Sequence, residues 1–304
     1  MELTFLGTGA GFPSSDRNVS ACVLNLARER NALWLLDCGE GTQRQFLKTP
    51  LKLSKIEKIF ITHLHGDHLF GLPGLLSTRP FKYGTSRVTV YGPKPIKAFL
   101  HAVFQASGTC VSYPVEVVEI EEGIIFEDDR FQVLARKLVH RAESFGFRIV
   151  EKDRPGRLDA QRLEECGVQP GPVFQKLKQG ETITLENGRT ISGSDFISPG
   201  QKGKVVAILG DTSPAPAGLL LAEKADLLVH EATYAADLAE RAAEHGHSTT
   251  VQAARLAHDS QAKKLIITHI SSRYKTGMEG SLLAECRAIF PDTEIAEDLK
   301  SFTV

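Results

Sequence analysis

The run His63-Leu64-His65-Gly66-Asp67-His68 packs three imidazoles and a carboxylate behind an apolar stretch, Ile56-Glu57-Lys58-Ile59-Phe60-Ile61-Thr62. Neutral imidazole and carboxylate are the usual protein ligands for zinc, with manganese as a competitor. The β-branched, apolar stretch predicts a buried strand. Alternate residues of an extended chain share a face, so His63 and His65 can point at one centre. Asp67 and His68, beyond the bend at Gly66, can serve a second centre or the far side of the first. A lone histidine is ordinarily a surface residue or a satisfied core group. Three of them, interleaved with Asp at a strand end, have no packing explanation.

A centre built on one loop is incomplete, because zinc takes about four ligands and a two-metal site more. Further candidates stand at the ends of other predicted strands. Residues 131–139 lead to His140, 204–210 to Asp211, and 263–268 to His269. Residues 226–229 lead to His230-Glu231, and 32–36 to Asp37. In layered α/β architectures the carboxyl edge of the strands is where sites assemble. One Asp after a strand is common in turns; the same placement strand after strand is not. His63, His65 and His140 form a three-imidazole set, and Asp67, His68 and His269 a second set. Asp211, with two carboxylate oxygens, is the natural bridge. Two cations about 3.5–4 Å apart would hold a water between them and lower its pKa toward neutrality. Asp67, near both, could orient that water and take its proton. This chemistry is hydrolysis at an ester, an amide or a phosphodiester, and the ligands alone leave the three open.

The elements that must position these residues fit one large domain. A chain of 304 residues, 42% apolar, has ample material for a single α/β or layered β core. A net charge of −1 excludes a global basic field, so any nucleic-acid contact has to be local. Cys22, Cys38, Cys110, Cys166 and Cys286 are odd in number and form no CxxC pair. That fits reduced cytoplasmic thiols better than a disulfide framework. The N-terminus lacks the features of a signal peptide, and no apolar run approaches the roughly 20 residues that span a bilayer. The expectation is a cytoplasmic protein with no membrane contact and no protein partner implied.

The HLHGDH run, the isolated His140, the Gly210-Asp211-Thr212 turn and His269 resemble the metallo-β-lactamase superfamily. More narrowly, the chain is similar to the ribonuclease Z family of tRNA 3′-processing endoribonucleases, in its short homodimeric form. The motifs that carry this are Phe5-Leu6-Gly7-Thr8-Gly9-Ala10-Gly11 and Asp37-Cys38-Gly39-Glu40-Gly41-Thr42-Gln43. Two more are His230-Glu231-Ala232-Thr233 and His247-Ser248-Thr249, and the likeness runs from Met1 to about Phe302. It implies an α/β fold, a four-layer αβ/βα sandwich over residues 1–304, with a flexible tRNA-binding arm inserted at 151–195. It implies two Zn2+ per subunit on His63, His65, Asp67, His68, His140, Asp211 and His269. Asp67 would be the proton acceptor and His247 the contact to the scissile phosphate. The substrate would be precursor tRNA, cut after the discriminator base to leave a 3′-hydroxyl on the tRNA and a 5′-phosphate on the trailer.

Local pattern adds detail. Thr249-Thr250-Val251-Gln252 reads as a capping box that opens a helix through about His258. His247 then lies just before a helix N-terminus, where free N–H groups and the dipole favour an anion. It could contact the phosphate or donate a proton to the leaving oxygen. His230 and Glu231 are expected beside the ligands, orienting His247 or a ligand imidazole. The arm carries Pro155-Gly156 and a Gly171-Pro172 to Gly180 segment, the punctuation of an insertion. In the family this arm grips the tRNA elbow, and Lys176 and Lys178 suit phosphate contacts. Arg154, Arg157 and Arg162 are offset by Asp153, Asp159, Glu164 and Glu165, so charge alone does not mark an RNA surface.

The loop Pro13-Ser14-Ser15-Asp16-Arg17-Asn18 keeps three positions of the family's P-x-K-x-R-N pattern. Arg17 and Asn18 are expected to contact RNA. Ser15 replaces the lysine, and Asp16 adds an anion. The family's loop senses the 3′ end and rejects transcripts that already encode CCA; one cation fewer weakens anchoring there. Intact cleavage with altered CCA discrimination follows. The alternatives are a phosphodiesterase, arylsulfatase or glyoxalase-type thioesterase on the same ligands, and a non-catalytic RNA-binding scaffold. The HST motif and the arm argue against a small-molecule thioesterase, and a scaffold would have lost ligands that this chain keeps.

Overall fold

The computed structural model describes residues 1–185, 187–275 and 277–304. Two seven-stranded mixed sheets organise most of the chain. The first runs β16 (Ser301–Thr303), β1 (Glu2–Gly7), β2 (Ala21–Leu26), β3 (Ala32–Leu36), β4 (Ile56–Phe60), β5 (Val88–Gly92) and β6 (Val115–Glu119). The second runs β15 (Thr293–Ile295), β14 (Leu265–Thr268), β13 (Leu227–Glu231), β12 (Val205–Leu209), β9 (Phe145–Glu151), β8 (Phe131–Lys137) and β7 (Gly123–Glu127). Within them β3 to β6 are parallel, and so are β12 to β15.

Both faces of the central strands are covered, which is why β3 (Ala-Leu-Trp-Leu-Leu) and β12 (Val-Val-Ala-Ile-Leu) read as unbroken apolar runs. The period-2 alternation decides which side chain goes where. On β3 and β4, Leu33, Leu35 and Ile59 face out to the helices Leu72–Thr78 and Ile96–Ser107, joining Leu72, Leu75, Ile96 and Leu100 in one core. Trp34 and Phe60 face in and meet the other sheet. Their ring centroids lie 5.6 Å from Phe126 and 5.5 Å from Phe147, respectively. Aromatic pairs of this kind add about 0.5–1.5 kcal/mol each beyond their buried area. On the second sheet, Ala207, Leu209, Leu228, Leu265 and Ile267 form an outer core with Leu221, Ala253, Ala257 and Leu282. Those partners come from the helices Pro216–Ala222, Thr250–Asp259 and Glu279–Arg287. The order is helices, sheet, sheet, helices, the four-layer sandwich expected from sequence.

The parallel strands deliver their carboxyl ends to one edge of that sandwich, and two of the following residues show how tightly. Asp37 after β3 and His269 after β14 both adopt a left-handed backbone with φ of 56°. That conformation is uncommon for residues with a side chain, and it persists where surrounding bonds hold it.

A second compact unit comprises Glu151–Lys204 with Asp128–Phe131. Its short helices Ala160–Glu165 and Pro172–Lys178 and the hairpin of β10 (Thr182–Thr184) and β11 (Thr190–Ser192) supply a small core of Leu163, Val168, Leu177, Ile191 and Phe196. The Asp159 carboxylate caps the first of these helices by accepting from the Arg162 N–H at 3.1 Å. The sequence boundary of 151–195 falls inside this unit, and Glu186 lies outside the described residues.

Candidate metal centre

β4 stops at Phe60; the chain bends at Thr62 and again at His65, and Gly66–Leu69 form a helical turn that carries Asp67 and His68. The strand ends of the second sheet supply Asp211 after β12 and His269 after β14. His63 Nε2 and His140 Nε2 lie 3.1 Å and 3.3 Å from His65 Nδ1. His269 Nε2 is 3.3 Å from His68 Nε2 and 3.4 Å from Asp67 Oδ2. Asp211 stands between the sets, with Oδ2 3.7 Å from His63 Nε2 and 3.3 Å from His269 Nε2, and Oδ1 3.4 Å from His68 Nε2. Each of the groups His63–His65–His140, His63–His68–Asp211 and Asp67–His68–His269 keeps its donor atoms within 4.8 Å of one another.

The hydrogen bonds behind these rings decide which nitrogen faces the centre. His68 Nδ1 lies 2.7 Å from Asp37 Oδ2, and His140 Nδ1 2.7 Å from the Gly246 carbonyl oxygen. Both partners only accept, so both rings donate from Nδ1. His63 Nδ1 meets the Thr62 hydroxyl at 3.0 Å, and that hydroxyl spends its proton on Asp37 Oδ2 at 2.9 Å. His269 Nδ1 meets the Thr233 hydroxyl at 2.9 Å, which donates to Glu231 Oε2 at 2.8 Å. His247 Nδ1 lies 2.9 Å from Glu231 Oε1. Thus Asp37 holds two imidazoles, one directly and one through Thr62, and Glu231 does the same through Thr233. Every one of these rings turns Nε2 away from its anchoring partner. Convergent imidazole nitrogens around a buried carboxylate are a donor set that fits divalent cations.

Electrostatics follow the same geometry. Burial drives His63 well below the ordinary imidazole range, helped by the charge of His68, and burial also lowers His140. His68 goes the other way: against burial, the charges of Asp211 and Asp37 hold it well above that range. Burial would raise the carboxyls, but His269, His68 and His63 hold Asp211 well below its usual value. Burial likewise opposes ionisation of Asp67, and the His269 hydrogen bond with the charges of His68 and His269 outweighs it. His247, despite burial, is raised to about 8 by the hydrogen bond and charge of Glu231. A cavity of about 340 Å³ opens over the cluster, lined by Phe12, His65, Asp67, His140, His247 and His269 among others.

Other residues singled out from sequence fall as follows. Thr249 and Gln252 form the capping box of Thr250–Asp259. Glu231 reaches His247, but both members of the His230-Glu231 pair lie inside β13 and not beyond it. His230 therefore faces the opposite side from Glu231 and does not join the cluster. Arg17 is 8% exposed, and its Nη1 donates to Thr8 Oγ1 and the Ala296 carbonyl, both at 2.7 Å. Asn18 Nδ2 donates to the Glu40 carbonyl at 2.9 Å. Both brace their loop from within, while Pro13, Ser14, Ser15 and Asp16 are exposed. Lys176 and Lys178 are exposed on their helix. Sequence reading passed over Thr62, Thr233 and the Gly246 carbonyl and gave Asp37 no role; only Asp37, at a strand end, carried a visible signal.

Two face-to-face mixed sheets with a His/Asp centre at their shared edge define a metal-dependent protein of the metallo-β-lactamase fold. A metallo-β-lactamase fold protein of Bacillus subtilis, YhfI, has the same fold, with a TM-score of 0.69 at 17% identity, covering 99% of this chain and 98% of that one. Human tRNase Z, short form, aligns with a TM-score of 0.72 at 33% identity over 100% of this chain and 99% of that one. The ribonuclease Z of Bacillus licheniformis is 57% identical over 298 residues, 98% of this chain and 97% of the relative. That of Listeria monocytogenes is 54% identical over 304 residues, 100% of this chain and 99% of the relative. A family model described as anti-Pycsar protein Apyc1 matches residues 1–152. The chain belongs to the ribonuclease Z family, and its first half also to the family which the Apyc1 model describes.

Proposed function

We propose that this endoribonuclease removes the 3′ trailer of precursor tRNA by hydrolysis after the discriminator base. The observation that carries the reading is His247, an imidazole pinned by Glu231 at 2.9 Å beside the His/Asp centre and opening to its cavity. The donor set suits two Zn2+ per subunit: His63, His65 and His140 on one, Asp67, His68 and His269 on the other, Asp211 shared. When bound, the ions polarise the scissile phosphate and acidify water. Asp67, fixed by the Gly11 N–H at 2.8 Å, accepts the proton of the attacking water. The His247 imidazolium contacts the phosphate and can give its proton to the departing 3′ oxygen, which leaves a 3′-hydroxyl on the tRNA and the phosphate on the trailer.

The finer expectations rest on the same reading. The unit containing residues 151–195 is the tRNA arm, and Lys176 and Lys178 hold phosphates of the tRNA. Arg17 and Asn18 fix the loop that exposes Ser15 and Asp16 to the 3′ end, and CCA discrimination is altered there. A homodimer rests on the likeness to the short ribonuclease Z form. Five free thiols suit the reducing cytoplasm, and among the described residues no helix is long and apolar enough to cross a membrane.

The test is an end-labelled precursor tRNA incubated with zinc-loaded protein, with the product ends mapped. A single chelator-sensitive cut after the discriminator base supports the reading; no cut with metal bound returns the choice to a thioesterase or small phosphodiesterase. Asp67→Ala should abolish cleavage and keep tRNA binding. Deleting residues 155–180 should weaken tRNA binding and spare a small phosphodiester, and unchanged affinity would remove the arm from the proposal.

A further inference from the structure

The end of β13 carries two chemistries on its two faces. Glu231 turns inward to His247, whereas His230 turns outward, the side on which Leu228 packs against the helices Pro216–Ala222 and Thr250–Asp259. There it lines a separate cavity of about 440 Å³ with Pro214, Leu219, Gln252, Arg255 and Leu256.

His230 is 1% exposed, and its Nδ1 lies 2.6 Å from the Glu231 carbonyl oxygen. That oxygen only accepts, so the proton is on Nδ1 and Nε2 is a bare acceptor. Burial lowers the imidazole below its ordinary range and keeps it neutral, against the charge of Glu231. Among the described residues nothing donates to Nε2, and His230 lines the cavity, so that acceptor is free to meet an occupant. Gln252 commits Oε1 to the Thr249 N–H at 2.8 Å, so its amide Nε2 is left as a donor beside the cavity. Arg255 and Asp259, both exposed, also line the cavity; Asp259 Oδ1 lies 3.0 Å from His258 Nδ1, and Arg255 forms no ion pair among the described residues. Pro214, Leu219 and Leu256 supply apolar walls.

An acceptor and a donor between apolar walls, with a guanidinium alongside, match the edge, the faces and the phosphate of a nucleotide. We propose that this cavity binds a nucleotide, its base edge on His230 and Gln252 and its phosphate on Arg255. For adenine, the 6-amino group donates to His230 Nε2 and a ring nitrogen accepts from Gln252 Nε2. The occupant is either a free nucleotide or an unpaired residue of an RNA strand. The site is independent of the RNA-cleavage reading, because binding is measured directly.

Calorimetric titration of the zinc-loaded protein with adenosine, AMP and purine riboside tests it. Adenosine lacks the phosphate that would draw AMP to the metal centre. Adenosine should bind, AMP about tenfold more tightly, and purine riboside, without the amino group, about tenfold more weakly than adenosine. Gln252→Glu keeps the capping oxygen and removes the donor, so it should weaken both adenosine and AMP about tenfold. Arg255→Glu should erase the advantage of AMP alone. Hydrolysis of bis(4-nitrophenyl) phosphate should stay unchanged in both variants, which shows an intact fold and centre. If the occupant belongs to RNA, Arg255→Glu raises KM for precursor tRNA and adenosine competes; if it is a free nucleotide, that KM stays put. Absence of adenosine binding, or binding indifferent to Gln252→Glu and to loss of the amino group, overturns the proposal.

Discussion

Replacing Glu231 by Gln separates the charge of this side chain from its shape. Glu231 Oε1 accepts from His247 Nδ1 at 2.9 Å and from the Thr212 N–H at 3.1 Å; Oε2 accepts from the Thr233 N–H at 3.1 Å and the Thr233 hydroxyl at 2.8 Å. Four donors converge on two oxygens, and Gln offers only one oxygen to them. The charge that lifts His247 to about 8 disappears. Returning the imidazole to its ordinary 6.5 loses roughly 1.5 pKa units, about 2 kcal/mol of preference for the imidazolium. If cleavage needs that imidazolium, the alkaline limb of kcat/KM moves down the pH scale. At pH 7.5 the protonated fraction falls about eightfold, whereas at pH 6 it hardly changes. The assay is single-turnover cleavage of precursor tRNA from pH 5.5 to 9, with metal content checked at each point. A uniform loss at all pH values, with the limb unmoved, would refute the role given to Glu231 and to the charge on His247.

Further tests follow from other bonds. Thr62→Val and Thr233→Val each remove the acceptor that fixes one imidazole, so metal affinity should fall about 10–100-fold in chelator competition, with Ser restoring it. Because Asp211 and Asp37 raise His68 well above the ordinary range, a cation at Nε2 displaces a proton. Metal affinity should therefore rise by up to about tenfold per pH unit below that raised pKa; a pH-independent affinity would contradict the ring orientation. Arg79, 0% exposed, donates to the carbonyls of Leu53, Ser54, Ile56, Gly84 and Ser86. Arg79→Ala should cost about 3–5 kcal/mol in urea unfolding without touching the metal centre.

The His/Asp cluster was legible because polar residues closing apolar strands break the pattern that burial imposes, and parallel strands bring such ends together. The capping box before Gln252 was legible because it is entirely local. Arg17 was not, since its partners, Ala296 and Glu279 at 3.6 Å, are remote in sequence and turn a surface-looking cation inward. The outward turn of His230 depends on the phase of β13, which is set by the helices that pack on Leu228. The Thr62 and Thr233 hydroxyls looked like ordinary strand residues, because threonine suits strands whether or not its hydroxyl is used.

The order in which the chain supplies this centre bears on how the protein is made. His63 to His68 emerge early in synthesis, Asp211 and His247 late, and His269 only shortly before β16 pairs with β1 through Leu3 and Phe302. A ribosome-bound chain that lacks His269 has one sheet's ligands without all of the other's. Once the last strands dock, a cation held by the candidate groups, which draw on both sheets, would fasten them like a buckle, so that opening the sandwich and losing the metal would be a single event.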